Sequence, residues 1–362
     1  MKIKFFRLAS CLLLILLLVM SFIFLTKIAK PIDSVQAESK ILNEMALSQI
    51  VNSEIKSAMS VHNRHIHTLM AFPNVVGAGV GLTETGKASI VVFLKDRTKP
   101  KMLPDNLEGF PVIAEVTGEF FPMKLKAEAI TSKINTTQRF PRPVPIGVST
   151  GNVLECSAGT IGARVKDSAG NVYALSNNHV YALENTAPIG SKVVQPGLYD
   201  TGCSFSEENV IGTLSAFEPI VFSQFADNVI DAAVAISSTA LLNNSTPADG
   251  YGKPKSTIVQ PVLRQSVQKY GRTTKLTIGR ITAINATINV SYSSGTARFV
   301  NQIVVRSSRP FIKPGDSGSL LVTYPNRNPV GLLFAGNSSG TYAMANPIDA
   351  VLNRFGVTID GD

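Results

Sequence analysis

The sequence predicts a mainly β protein, in which an N-terminal hydrophobic segment and a small α+β region precede a large β-rich part. Three observations carry this. From about residue 147 to residue 345, short β-branched and aromatic runs alternate with Gly, Asn, Ser and Pro clusters, without a long helical pattern. Residues 38–70 contain neither Pro nor Gly, and apolar residues recur there near helical spacing. Residues 8–26 form an apolar run without a charge.

That run, Leu8 to Thr26, is preceded by Lys2, Lys4 and Arg7 and followed by Lys27 and Lys30. Residues 1–37 therefore read as an export signal or a membrane anchor. Val35-Gln36-Ala37 has the small-residue character of a cleavage site, whereas the length of the run and its distance from that site favour an uncleaved anchor. Either reading places the rest of the chain outside the cytoplasm, secreted or attached through residues 8–26. Leu8-Ala9-Ser10-Cys11 has the form of a lipoprotein box, but its hydrophobic run follows the cysteine, so lipidation is not expected. The exported cysteines, Cys156 and Cys203, read as one disulfide, with two free buried thiols as the alternative.

Residues 38–138 are expected to form the small α+β domain. Ile41, Met45, Leu47, Ile50, Val51 and Ile55 predict an amphipathic helix that stops at Phe72-Pro73-Asn74. Val75–Leu82 and Ala88–Leu94 flank a Gly-containing turn and predict a hairpin, and Gly109–Val116 predicts a further strand. Three prolines in Phe140–Pro145 predict a stiff linker over 139–146. Residues 147–362 form the β-rich part, closed by a helix over Asn346–Phe355 that Gly356 can cap.

The 362 residues are 44% apolar, enough for a packed core, and the net charge is +9. Five of the positive charges flank the apolar run, and no Lys/Arg stripe interleaves with aromatics elsewhere, so no nucleic-acid partner is expected. His62, His65 and His67 invite a zinc reading, but His67 would leave the face shared by the other two, and no Asp, Glu or Cys lies close in sequence. No metal or cofactor is expected.

Chemistry concentrates in three places. In Pro314-Gly315-Asp316-Ser317-Gly318-Ser319, flanking glycines let the chain turn sharply, so that the Ser317 hydroxyl protrudes as a nucleophile and the N–H groups of Gly315 and Ser317 converge as an oxyanion hole. The ordinary alternative is a polar turn before a strand. His179, one of four histidines and the one in the β-rich region, ends a strand at Leu175-Ser176-Asn177-Asn178-His179-Val180 and offers a base titrating near neutral pH. Asp231, at the edge of Ile230-Asp231-Ala232-Ala233-Val234-Ala235-Ile236, would be costly to bury unless paired, and His179 could pair it. Asp227 competes for that role.

The order His179, Asp231, Ser317 and the texts LSNNHV, IDAAVAI and KPGDSGSLLV resemble the trypsin/chymotrypsin-like serine peptidases. Bacterial branches are nearest, including the HtrA-type group with its T-N-N-H-V histidine motif. The resemblance covers about residues 145–362 and implies a chymotrypsin-like double β-barrel with the triad between the barrels. It also implies that Phe334, Ala335 and Gly336 line the substrate backbone and specificity pocket. The sequence departs from the family in lacking an Ile-Val-Gly-Gly start after the Pro-rich segment, so activation by a new N-terminus beside Asp316 is not expected, nor are the PDZ domains of the HtrA-type group. The implied function is a serine endopeptidase acting on protein or peptide substrates, whose N-terminal domain could be a self-cleaved propeptide cut near the linker. The alternative is a catalytically silent fold of this type serving as an extracytoplasmic binding module.

Overall fold

The computed structural model describes residues 32–124 and 134–362. The chain divides into two compact units, Met1–Lys56 and Ser57–Asp362. The apolar run of residues 8–26 lies outside the described residues, whereas Val35-Gln36-Ala37 falls in the first helix described. No helix among the described residues is long and apolar enough to cross a membrane.

Helix α1 (Ile32–Ala71) extends the expected helix at its start and stops, as its Pro-containing end requires, just before Phe72-Pro73-Asn74. Its buried positions Ala58, Val61, His62, Ile66 and Leu69 recur at helical spacing in the last turns. Strands β1 (Val75–Leu82) and β2 (Ala88–Leu94) form the predicted antiparallel hairpin, with Val80 opposite Ile90. Then follow β3 (Asn106–Leu107), β4 (Phe110–Val116) and β5 (Phe120–Pro122).

The first barrel is built from β6 (Ser149–Asn152), β7 (Gly159–Thr160), β8 (Ala163–Asp167), β9 (Val172–Ser176), β10 (Lys192–Val194), β11 (Val210–Phe217) and β12 (Ala233–Ser237). β7 and β8 are successive pieces of one bent run. The first pairs with β6 and the second with β9, and the order β9-β12-β11-β10-β6 completes a ring. Val144 and Ile146 of the Pro-rich segment are buried in its core with Ile161, Tyr181 and Ile211.

The second barrel comprises β13 (Ser266–Gly271), β14 (Lys275–Tyr292), β15 (Gly295–Arg306), β16 (Leu320–Thr323), β17 (Pro329–Asn337) and β18 (Tyr342–Pro347). Its order β13-β16-β17-β18-β15-β14 closes because β13 also pairs with β14. All six junctions are antiparallel, and closure removes the edges that a β-protein must otherwise protect. A third core cluster, with Leu175, Ile230, Leu320 and Leu332, joins the barrels. It is sealed by a helix (Ile348–Phe355) and β19 (Val357–Ile359). Gly356 caps that helix in the left-handed conformation, at φ 62°, where a Cβ would be strained.

The N-terminal strands extend the second barrel. β1 pairs antiparallel with the long β14, β2 follows β1, and β4 pairs parallel with β2. β5 separates from this group and lies between β14 and β17.

Candidate active site

His179 sits in a single helical turn, Asn178–Tyr181, directly after β9. Two side-chain amides fix the turn. Asn177 Nδ2 donates to the carbonyl of Asp231 at 2.7 Å, and Asn178 Nδ2 to the carbonyl of Glu218 at 2.6 Å. Asn177 thus ties the end of β9 to Asp231, and Asn178 ties the turn to the chain directly after β11.

Asp231 lies just before β12 and is fully buried. Its carboxylate accepts from His179 Nδ1 at 2.5 Å, from the His179 main-chain N–H at 3.2 Å and from the Tyr292 hydroxyl at 2.8 Å. Three donors meet the desolvation cost of a buried carboxylate. Because a carboxylate only accepts, the neutral imidazole carries its proton on Nδ1 and presents a lone pair at Nε2. Nε2 is buried and has no hydrogen-bond partner. Burial, with the charge of Asp231 beside it, pushes the Tyr292 phenol well above its ordinary range and keeps it a donor. Asp227, the rival acid, is instead largely exposed and pairs with Arg298 at 2.6 Å.

Ser317 lies in the loop before β16. Gly315 and Gly318 have φ of 98° and 91°, in the region that favours glycine. A Cβ at Gly318 would also stand 2.2 Å from Ser176 Oγ and 2.4 Å from the Thr160 carbonyl oxygen. The loop therefore rests directly on the first barrel, and the Thr160 N–H donates to the Ser317 carbonyl at 2.8 Å.

Asp316 anchors the loop. It accepts from the N–H groups of Lys313, Thr273 and Thr274 at 2.9, 2.8 and 3.1 Å, and from the Thr274 hydroxyl at 2.6 Å. Lys269 Nζ stands 3.6 Å from the same carboxylate, with both side chains fully buried. Burial pulls the Lys269 ammonium below its ordinary range, against the opposing pull of Asp316. A cation from β13 thus faces Asp316.

The N–H groups of Gly315 and Ser317 converge on one oxygen, the carbonyl of Met123, at 2.6 and 3.1 Å. Met123 follows β5, which pairs antiparallel with β17 through Pro122 opposite Ala335 and Phe121 opposite Gly336. The Met123 N–H continues the ladder to the Phe334 carbonyl at 3.1 Å, and the Ser317 hydroxyl donates to that same carbonyl at 3.0 Å. Phe334, Ala335 and Gly336 are all buried.

Cys156 and Cys203 form a disulfide across 47 residues. The three histidines of α1 meet different partners: His62 contacts Asn63 and Asn285, His65 pairs with Glu108, and His67 accepts from Arg298. Among the described residues, no group of three or more His, Cys, Asp or Glu side chains converges as metal ligands would.

Tyr292, Lys269 and Met123 were not singled out from the sequence. Lys269 left a faint signal, a lone charge in Val267-Gln268-Lys269-Tyr270 at the inward parity of Val267. Tyr292 and Met123 acquire their roles through strand pairing and left none.

No protein-family profile and no curated protein matches the chain. Solved structures do. A glutamic-acid-specific serine protease that uses a histidine triad in substrate binding is 20% identical, matches 60% of this chain and 100% of its own, and gives a TM-score of 0.43. Thermobifida fusca Protease A is 18% identical over 60% of this chain and 100% of its own, with a TM-score of 0.43. Nocardiopsis protease is 20% identical over 60% and 99%, with a TM-score of 0.42.

Proposed function

We propose that this chain is a serine endopeptidase of the trypsin/chymotrypsin-like type, with Ser317 as nucleophile, His179 as general base and Asp231 as the acid that orients it. The observation that carries the reading is the convergence of two main-chain N–H groups, from Gly315 and from Ser317 itself, on a single carbonyl oxygen. Donors so placed stabilise the oxyanion of a tetrahedral intermediate, and losing one such donor costs about 10²–10³ in kcat in enzymes that use them. The buried Asp231–His179 pair supports it from the other barrel, holding Nε2 as a free lone pair.

A substrate strand pairs with β17 along Phe334–Gly336 and places its scissile carbonyl beneath the two N–H groups. Ser317 turns its hydroxyl from the Phe334 carbonyl toward His179 Nε2, gives up its proton there and attacks the carbonyl carbon. Asp231 stabilises the imidazolium so formed. His179 then protonates the leaving amine, and water completes hydrolysis of the acyl-enzyme by the reverse transfers. The Cys156–Cys203 disulfide supports folding in an oxidising, extracytoplasmic compartment.

Hydrolysis of apolar-rich fluorogenic peptides by the purified protein tests the reading. Replacing His179 with Ala should lower kcat by about 10³-fold or more while the protein stays folded. Undiminished turnover in that variant would overturn the assignment.

A further inference from the structure

Residues 120–124 occupy the cleft as a substrate would. β5 pairs antiparallel with β17, the Met123 N–H reaches the Phe334 carbonyl, and the Met123 carbonyl takes both N–H groups of the Ser317 loop. Two strands, one turn and one oxygen have to coincide for this, since a shift of one residue would turn alternate side chains to the opposite face. We propose that Met123–Lys124 is a peptide bond this chain cuts in itself, and that the flanking side chains report the specificity of the cleft: a long unbranched apolar residue followed by a basic one. The proposal rests on the reading of Ser317 as a nucleophile.

The side chains fit that specificity. Met123 is buried, and its methyl group would stand 3.0 Å from a Cβ placed on Gly336, so the pocket owes its depth to that glycine. The Ile312 side chain and the Tyr342 carbonyl oxygen also crowd that position, at 2.6 and 2.8 Å from the same Cβ. On the other side of the bond, the Lys124 ammonium pairs with Glu155. It lies in a cleft of about 280 Å³ that also carries Glu184. Two carboxylates there favour a cation.

Cutting follows from atoms already in place. Ser317 Oγ transfers its proton to His179 Nε2 and bonds to the Met123 carbonyl carbon. The bond from that carbon to the Lys124 nitrogen then breaks, and His179 returns the proton to the departing amine. Water, deprotonated by His179, displaces Ser317, leaving a carboxylate on Met123 and a free amino group on Lys124. Before the cut, the segment fills the oxyanion hole and the substrate strand position, so the uncut chain is latent toward other substrates. After it, the β1–β14 pairing still holds the released piece on the second barrel.

The full chain, expressed with an oxidising folding route, tests this by intact mass and N-terminal sequencing over time. A fragment beginning at Lys124 is expected, appearing with a first-order rate that tenfold dilution leaves unchanged, and Ser317→Ala should remain uncut. Met123→Leu should still cut, whereas Met123→Asp should slow the cut at least tenfold. If Met123→Asp does not fold, the wild-type and Ser317→Ala masses decide alone. A chain that hydrolyses added peptides yet stays whole, or cuts within residues 139–146 instead, overturns this proposal and leaves the endopeptidase reading standing. A cut at Lys124 that persists in Ser317→Ala assigns it to another protease and also overturns it. An uncut chain without peptidase activity overturns both.

Discussion

Asp231 accepts from three donors, and the third, the Tyr292 hydroxyl, comes from the end of β14 in the second barrel, 61 residues further along the chain. A hydrogen bond to a buried charged group is worth about 1.5–3 kcal/mol. If Tyr292 positions Asp231 and, through it, His179, then Tyr292→Phe should lower kcat about tenfold or more, since tenfold corresponds to about 1.4 kcal/mol. KM should stay near the wild-type value, because Tyr292 touches no substrate atom in the proposed binding mode. Steady-state kinetics read this directly, and an unchanged kcat would remove Tyr292 from the site. At this scale the sequence was informative where chemistry is written locally. Ser317 is framed by glycines that its loop needs at positive φ, His179 follows two asparagines that fix its turn, and Asp231 is a charge at the edge of an apolar strand. Tyr292 was illegible because nothing near it in sequence marks a tyrosine that will meet an aspartate across two barrels.

Elements show the same division. The hairpin β1–β2, the strand β4 and the closing helix were legible from periodicity and turn residues, since those patterns depend on neighbours a few residues away. α1 was legible as a helix. Of its expected stripe, Ile41 to Ile50 lie outside the residues whose side chains are described, Val51 is exposed and Ile55 half-buried, and the buried stripe among the described side chains runs from Ala58 to Leu69. His62 belongs to that stripe. Burial holds its imidazole below the ordinary value of 6.5, opposed by hydrogen bonds to Asn63 and to the main chain of Ala78. The unfolded chain therefore binds the proton more readily than the folded one, so stability declines as pH falls from about 6.5 through the lower folded value. Thermal melts at pH 7.5 and pH 5 should show a smaller acid loss for His62→Gln than for the wild type. An equal loss in both would place the acid sensitivity elsewhere. At the serine loop, β13 supplies the buried Lys269 that faces Asp316.

Across the whole molecule, the mainly β character was legible because short runs and turn clusters recur over two hundred residues, and the structure closes them into two six-stranded rings. The order of strands was not, since register and pairing depend on contacts between distant segments. Hence β1 to β4 join the sheet of the second barrel, and β5 leaves them to lie along β17 with Met123 at the serine loop. Every feature of the site bears on one claim, that Ser317 is an activated nucleophile. Reaction of the purified protein with a fluorophosphonate, followed by intact and peptide mass spectrometry, tests it most directly. One adduct per chain is expected, located on Ser317 and lost in His179→Ala. A folded protein that takes up no label, or carries it on a different residue, would contradict it.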